Sequence, residues 1–134
     1  MDLKAKLREV PDFPKEGINF IDITTVLQDA GALKQCIDQM IQEIKSFGDF
    51  DMIVGPESRG FIFGTPIAYA MGKGFAPIRK KGKLPYKTIS VEYELEYGKD
   101  NWLYERGNCI KAIVVAESMP TAGENHSRPI FQVK

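Results

Sequence analysis

The spacing of apolar residues predicts one long amphipathic helix in the first third of the chain. Apolar residues recur at steps of three and four between positions 33 and 47: Leu33, Cys36, Ile37, Met40, Ile41, Ile44 and Phe47. Asp29 is the predicted N-cap of this helix and Gly48 is its predicted stop. A shorter repeat predicts another helix over residues 3–10, and residues 18–23 are predicted as extended chain.

A strand, a polar turn and the start of a helix occur together at residues 51–64. The apolar run at 52–54 is typical of a buried parallel strand, and Gly55 and Pro56 end it. In open α/β sheets, ligands bind beyond the carboxyl ends of the strands, where helix N-termini present unpaired N–H groups to anions. The sequence therefore predicts an anion site at this turn, with Arg59 in it.

The second half of the chain predicts further strands. Apolar runs predict buried strands at residues 75–78 and 110–115. Strict alternation of apolar and polar residues predicts a half-exposed strand at residues 89–97. Residues 98–101 are then predicted as a turn, and residues 102–105 as the returning strand of a hairpin.

Length and composition indicate one domain over residues 1–134 with a modest core, since 43% of the 134 residues are hydrophobic. The apolar pattern fades in residues 116–134, which are predicted as an irregular tail that has room for one short docked piece. The 18 Lys and Arg residues balance 18 Asp and Glu residues, which argues against nucleic acid or a membrane as a partner. No apolar run has membrane-spanning length, and the N-terminus lacks the apolar centre of a secretory signal, so we expect a cytoplasmic protein.

Positive side chains cluster directly after the predicted strand at 75–78: Arg79, Lys80, Lys81, Lys83 and Lys87. Taken alone, such a run is most simply a solvated surface loop. If this strand lies parallel to the strand before Arg59, however, both sets of cations meet in one crevice, where they would bind phosphate or pyrophosphate. Glu96, at the end of the alternating strand, could act there as acid, base or hydrogen-bond acceptor.

The chain resembles the adenine phosphoribosyltransferase family in segments that occur in order and at compatible spacing: PDFPKEGINFIDIT, DMIVGPESRGFIFG, GKGFAPIRKKGKLP and TISVEYELEYG. The resemblance implies the α/β type I phosphoribosyltransferase fold, with a parallel sheet flanked by helices and a small hood, and usually a homodimer. The implied reaction belongs to purine salvage: adenine and phosphoribosyl pyrophosphate (PRPP) give AMP and pyrophosphate. Magnesium is the implied cofactor, bound through the pyrophosphate of the substrate and not by a metal site of the protein.

The resemblance also implies roles for the charged residues named above. Arg59, Arg79 and Lys83 match family positions that contact pyrophosphate. Glu96 matches the family's proposed catalytic carboxylate, which handles the proton at adenine N7. Tyr97 matches the mobile aromatic residue of the lid beside it.

The implied adenine-binding segment comprises Asn19, Phe20 and Ile21. In the family its backbone reads the edge of the base, and the aromatic ring, here that of Phe20, stacks on the purine. Ile21 replaces the usual Arg or Lys of the family. Because the family contact is made largely by the main chain, this replacement bears on affinity more than on the identity of the base.

The ribose-phosphate loop departs from the family motif, which is close to VVDDLLATGGT. Residues 114–124 read VVAESMPTAGE, so Ala116 stands at the first acidic position and the altered loop comprises Glu117, Pro120, Thr121, Ala122, Gly123 and Glu124. Glu124 puts a carboxylate where the 5′-phosphate binds, and two like charges about 4 Å apart repel by about 4 kcal/mol at an effective dielectric near ~20. Because residues 125–134 are all that follow the loop, we expect a sheet that is incomplete at the C-terminus.

The alternative function is that of a catalytically weak or inactive relative, acting as a nucleotide-binding or dimerising module.

Overall fold

The computed structural model describes residues 2–80, 82–95, 98–104, 111–115 and 130–133. The chain forms two compact units, Met1–Gln39 and Met40–Lys134. The boundary between them falls inside one continuous helix, Ala30–Lys45. A single domain over residues 1–134 stays a prediction, and the two units are described separately below.

The N-terminal unit contains short helices and a two-stranded antiparallel sheet. Its elements before the long helix are α1 (Leu3–Lys6), β1 (Arg8–Val10), β2 (Phe20–Asp22) and α2 (Thr24–Leu27). In the sheet, Arg8 lies opposite Asp22 and Val10 lies opposite Phe20. The extended chain predicted at residues 18–23 is therefore confirmed in β2.

The helix predicted over residues 3–10 is wrong in its second half. Helix α1 ends at Lys6, and Leu7 already has an extended backbone, with φ of −68° and ψ of 144°. Asp2 caps the start of α1 by accepting a hydrogen bond from the Lys4 N–H at 3.0 Å. So short a helix is marginal by itself, whereas pairing with β2 satisfies the backbone groups of β1.

Helix α3 (Ala30–Lys45) confirms the predicted long amphipathic helix. Asp29 caps it as predicted, because its carboxylate accepts a hydrogen bond from the Ala32 N–H at 2.9 Å. The same carboxylate pairs with the Lys6 ammonium. The hydrogen bond from Lys6, followed by that from Ala32, holds the pKa of Asp29 below its usual range. Buried residues of α3 lie four apart on one face: Cys36, Met40 and Ile44.

The C-terminal unit is built on a mixed sheet whose central strands are parallel. Its described elements after α3 are β3 (Met52–Pro56), α4 (Arg59–Met71), β4 (Gly74–Lys80), β5 (Ile89–Leu95), β6 (Gly98–Tyr104), β7 (Ala112–Val115) and β8 (Ile130–Val133). The strand order is β5-β6-β4-β3-β7-β8. Strand β3 pairs in parallel with both β4 and β7, and the other pairs are antiparallel. The predicted α/β class with a parallel sheet is confirmed.

The core of this unit lies around the parallel strands and α4. All four residues of β7 are buried, as are residues 53–56 of β3. Helix α4 lies close to β4 at Gly64, where a Cβ would come within 2.5 Å of Cε2 of Phe75. Large side chains that are fully buried here are Ile53, Val54, Phe63, Ile67, Ile78, Ile113 and Val114.

One prediction for the second half of the chain needs correction. Residues 98–101 were predicted as a turn but belong to β6, which pairs with β5 from Ile89 opposite Tyr104 to Leu95 opposite Gly98. Continuous cross-strand hydrogen bonding here outweighs the turn preference of Gly98 and Asn101. Within the predicted tail, Ile130–Val133 forms β8, which pairs antiparallel with β7, in keeping with the short docked piece expected there.

Two glycines bring the end of β3 against the start of α4. A Cβ at Gly60 would lie 2.5 Å from Cδ of Pro56 and 2.7 Å from the carbonyl carbon of Gly55. A Cβ at Gly55 would lie 2.5 Å from the carbonyl oxygen of Gly60. Neither position can carry a side chain without a backbone shift, so the strand and the helix meet through bare backbone.

We expect Gly60→Ala to lower the melting temperature of the chain. Alanine is favoured over glycine inside a helix by about 1 kcal/mol, but overpacking against fixed atoms costs about 1–3 kcal/mol. The steric effect should therefore dominate in thermal unfolding followed by circular dichroism. Gly74→Ala is the matched control, because a Cβ at Gly74 meets nothing within 4 Å. A melting temperature for Gly60→Ala at or above that of the wild-type chain would contradict the close contact.

Candidate functional site

The turn between β3 and α4 places charged side chains at the carboxyl end of the parallel strands. Glu57 continues the pairing beyond β3, because its N–H donates to the carbonyl oxygen of Ile78 at 3.1 Å. A cis peptide bond joins Glu57 to Ser58, whose carbonyl accepts from the Phe61 N–H at 3.0 Å. Helix α4 then begins at Arg59, whose side chain is partly exposed. The start of a helix carries partial positive charge and Arg59 adds a full charge, so this position favours an anion.

Arg79, near the end of β4, is held by two contacts. Its Nε donates to Oε2 of Glu57 at 3.0 Å, and its Nη1 donates to the carbonyl oxygen of Lys83 at 3.3 Å. Lys83 reaches this position through a tight turn in which its own N–H donates to the carbonyl oxygen of Lys80 at 3.2 Å. Gly82 provides the left-handed conformation that this turn needs, with φ of 89°. The basic segment is therefore folded back against the end of β4.

The predicted pyrophosphate residues lie at the ends of adjacent parallel strands. Strand register pairs Pro56 with Ile78, so the residues that follow β3 stand beside the last residues of β4. This edge of the sheet carries Arg59, Arg79 and the carboxylate of Glu57, and the backbone of Lys83 lies against Arg79. Such an arrangement suits an anion with several oxygens. The roles of the three cations in binding pyrophosphate stay predictions.

Glu57 is the residue of this edge to which the sequence assigned no role. It lay within the predicted polar turn, and nothing nearby in the sequence distinguished it. The feature that relates Glu57 to Arg79 is the spacing between two distant apolar runs. Met52 pairs with Gly74, an offset of 74 − 52 = 22 residues, and the same offset brings residue 57 beside residue 79. Aligning the two apolar runs as parallel neighbours would have placed this acid next to Arg79.

The predicted adenine segment lies in the N-terminal unit. Phe20 and Ile21 belong to β2, and Asn19 directly precedes that strand. The Phe20 ring meets the ring of Phe13 edge-on, with centroids 5.2 Å apart and an angle of 70° between the planes. Phe20 is only partly buried, so a ring braced from one side could still stack on a planar base. Adenine binding by these residues stays a prediction.

Asp22, the last residue of β2, links the small sheet to the start of α2 through hydrogen bonds. Its carboxylate accepts hydrogen bonds from Nε of Arg8 at 2.9 Å and from the Thr24 N–H at 2.9 Å, and it also contacts Nη2 of Arg8. Hydrogen bonds from the side chain and backbone of Thr24, followed by the bond from Arg8, lower the pKa of Asp22 to about 2. The carboxylate is therefore ionised at neutral pH.

The remaining predicted site residues lie outside the described residues. They are the catalytic Glu96, the lid residue Tyr97 and the altered ribose-phosphate loop with Glu117, Pro120, Thr121, Ala122, Gly123 and Glu124. Their roles stay predictions from the sequence.

The part of the chain that the structure describes contains no group of three or more His, Cys, Asp and Glu side chains able to hold a metal ion. Cationic side chains at the strand ends repel a metal ion, so they suit a metal only when an anionic substrate carries it. Cys36 is buried, and desolvation raises the pKa of its thiol to about 11, which keeps the thiol protonated at neutral pH. Among the described helices, none has both the length and the apolar character needed to cross a bilayer.

Comparison with known proteins identifies close relatives, although no protein-family model matches the chain. The adenine phosphoribosyltransferase of Acetivibrio thermocellus is 83% identical over 100 residues, which cover 75% of this chain and 58% of the relative. That of Ruminiclostridium cellulolyticum is 58% identical over 127 residues, which cover 92% of this chain and 74% of the relative. The chain thus spans less than two thirds of the Acetivibrio protein.

A solved structure of an adenine phosphoribosyltransferase is also similar to this chain in three dimensions. The crystal structure of adenine phosphoribosyltransferase from Thermoanaerobacter pseudethanolicus superimposes with a TM-score of 0.66 at 50% sequence identity. The match covers 80% of this chain and 62% of that one. The superposition therefore accounts for most of the present chain.

The stability that Asp22 contributes should be lost in acid. Its folded pKa of about 2 lies below the ordinary value of 3.8. Folding therefore favours the ionised form, and the contribution is complete above about pH 4 and disappears as the pH falls through about 2. The measurement is the difference in melting temperature between the wild-type chain and Asp22→Asn from about pH 2 to about pH 7. The wild-type chain should be the more stable at neutral pH, and the difference should shrink toward zero in strong acid.

Asp49→Asn controls for the loss of one negative charge in the Asp22 experiment, because Asp49 is exposed. A difference between the wild-type chain and Asp22→Asn that stays constant down to about pH 2 would contradict the lowered pKa of Asp22.

Proposed function

Since the chain belongs to the adenine phosphoribosyltransferase family, we propose that it transfers the 5-phosphoribosyl group of PRPP to N9 of adenine, giving AMP and pyrophosphate. Family membership confirms the predicted resemblance and the type I phosphoribosyltransferase fold. The activity, its substrates and its partners are proposals for this chain, which spans 58% of its Acetivibrio relative.

The observation that carries the proposal is the set of cations at the ends of β3 and β4. In the proposed reaction the bond between C1 of the ribose and the pyrophosphate oxygen breaks, and both bonding electrons leave with the pyrophosphate. Negative charge therefore grows on the leaving group as C1 becomes cationic. Arg59 at the start of α4 and Arg79 at the end of β4 would stabilise that charge more in the transition state than in the ground state.

Proton transfer at adenine is assigned to Glu96. Adenine that carries its proton on N7 has a free electron pair on N9, which forms the new bond to C1. The N7 proton must then leave, and a carboxylate near that atom is a suitable acceptor. Phe20 would stack on the purine while the backbone of residues 19–21 reads its edge.

Magnesium, homodimer formation and a cytoplasmic location complete the proposal. Magnesium bound to the pyrophosphate oxygens would neutralise part of the substrate's charge. It would arrive with PRPP, because Arg59 and Arg79 at the strand ends attract an anionic substrate and repel a free metal ion. A homodimer is the partner state that we propose, in keeping with the family.

We expect the chain to form AMP from adenine and PRPP in the presence of magnesium. Formation of AMP can be followed by radiometric or spectrophotometric assay, with Glu96→Gln as the catalytic variant. Loss of proton transfer by Glu96 should lower kcat by about a hundredfold or more. Pyrophosphate binding by this variant should be unchanged, because Glu96 is assigned to the base and not to the leaving group.

Absence of AMP formation by the wild-type chain would contradict the proposed activity. If adenine or AMP still bound in calorimetry, that result would favour the inactive nucleotide-binding module considered above. Equal turnover by the wild-type chain and Glu96→Gln would remove Glu96 from the mechanism but not the activity itself.

We expect Arg59→Ala and Arg79→Ala to weaken pyrophosphate binding. Each variant loses charge-assisted hydrogen bonds to phosphate oxygens, which should raise the Kd of magnesium pyrophosphate by about tenfold or more. Isothermal calorimetry measures this constant without turnover. Lys34→Ala is the matched control, since Lys34 forms an exposed ion pair with Asp38 within α3. Unchanged affinity in both arginine variants would contradict an anion site at the ends of β3 and β4.

A further inference from the structure

The contacts of Arg79 determine which of its N–H groups remain for a ligand. Glu57 takes the Nε–H at 3.0 Å, and the carbonyl oxygen of Lys83 takes one N–H of Nη1 at 3.3 Å. These two acceptors come from different segments, the β3–α4 turn and the turn after β4. The planar guanidinium is therefore held at two of its nitrogens, and these two contacts leave the second N–H of Nη1 and both N–H groups of Nη2.

We propose that Glu57 is a positioning residue, whose carboxylate fixes the Arg79 guanidinium so that its remaining N–H groups meet the pyrophosphate. The proposal rests on the proposed function and adds to it a residue that touches neither reacting atom. An arginine already held in one orientation loses less side-chain freedom when it binds an anion. Glu57 would thus increase affinity for the leaving group without contacting it.

A carboxylate near an anion site can also act in the opposite direction, by repelling the ligand. Here Glu57 is paired with the cation itself, so much of its charge is compensated at close range. It also occupies the edge of the guanidinium that contains Nε–H, whereas an anion would bind the N–H groups of Nη1 and Nη2 that point away from that edge. The geometry therefore favours orientation over repulsion, and the two effects predict opposite changes in affinity when Glu57 is removed.

The backbone supports this role for Glu57. Its N–H is bonded to the carbonyl oxygen of Ile78 at 3.1 Å, which anchors the residue to β4 next to Arg79. The close contact of Gly55 with Gly60 limits the path of the turn around it. Because the side chains of Glu57 and Arg79 are 41% and 32% exposed, their ion pair contributes little to folding. Its removal should therefore leave a folded chain.

Calorimetry with inorganic pyrophosphate and magnesium tests the role. Glu57→Ala should weaken binding by about fivefold, the upper range for an ion pair of this exposure. Glu57→Gln keeps an acceptor for the Nε–H, so its affinity should recover to within about twofold of the wild-type chain. Asp38→Asn, which breaks an exposed ion pair with Lys34, is the matched control and should bind as the wild-type chain does.

A second measurement reports the contact itself and needs no activity. The Nε–H signal of Arg79 in ¹⁵N-resolved NMR spectra, assigned by its disappearance in Arg79→Lys, should exchange slowly with water in the wild-type chain. It should exchange faster in Glu57→Ala and recover in Glu57→Gln. In the full reaction, Glu57→Ala should raise the KM for PRPP and leave the KM for adenine unchanged.

The outcomes separate this proposal from the proposed function. A wild-type chain that binds no pyrophosphate overturns both. A wild-type chain that binds pyrophosphate, with equal or tighter binding by Glu57→Ala, overturns the role of Glu57 and leaves the proposed function standing. Unchanged exchange of the Arg79 Nε–H in Glu57→Ala also overturns the role of Glu57.

Discussion

The backbone contact between Gly55 and Gly60 determines where the charged residues of the C-terminal unit lie. Because neither residue has room for a Cβ, the end of β3 lies against the first turn of α4. The short turn between them therefore has to place Glu57 and Arg59 at the carboxyl edge of the sheet. Parallel pairing with β4 then brings Arg79 to the same edge. The close contact between the two glycines and the register between β3 and β4 thus account for the positions of these charged residues.

In this unit, the interactions that stabilise the fold differ from those that orient the charged side chains of the candidate site. Folding is supported by the buried apolar residues of β3, β7 and α4, each worth about 1.5–3 kcal/mol when fully removed from water. The ion pair between Glu57 and Arg79 is half-exposed and contributes at most about 1 kcal/mol. An interaction that adds so little to folding can be changed without loss of the fold, and its main consequence is the orientation of a guanidinium group.

The sequence predicted those features that depend on local pattern. Helix α3 follows from apolar spacing and from Asp29, whose carboxylate does cap it. The strand before Arg59 follows from a short apolar run ended by Gly55 and Pro56. Features set by distant partners were missed or mispredicted. Strand β1 depends on pairing with β2, and residues 98–101 join β6 because the chain at 89–95 lies beside them.

In the candidate site, too, features set by local sequence pattern were predictable and features set by distant partners were not. The positions of Arg59 and Arg79 at the strand ends could be predicted from the sequence, because each follows an apolar run that is typical of a strand. Glu57 could not, because its partner lies 22 residues away (79 − 57) and its position matters only once β3 and β4 are paired. A local pattern reports which residues are present at a strand end, whereas the register between strands decides which of them touch.

If the chain binds PRPP as proposed, the two phosphate-bearing parts of that substrate would meet different electrostatic environments. Under the proposed function, the pyrophosphate would meet the cations at the ends of β3 and β4, whereas the 5′-phosphate would meet a loop that contains Glu124. Both parts belong to one substrate molecule, so repulsion at one end subtracts from attraction at the other. A full like-charge contact of about 4 kcal/mol would weaken PRPP binding by about a thousandfold, and would leave free pyrophosphate unaffected. Affinity for pyrophosphate alone would therefore measure the contribution of the strand ends, and the difference in affinity between pyrophosphate and PRPP would measure the contribution of the loop.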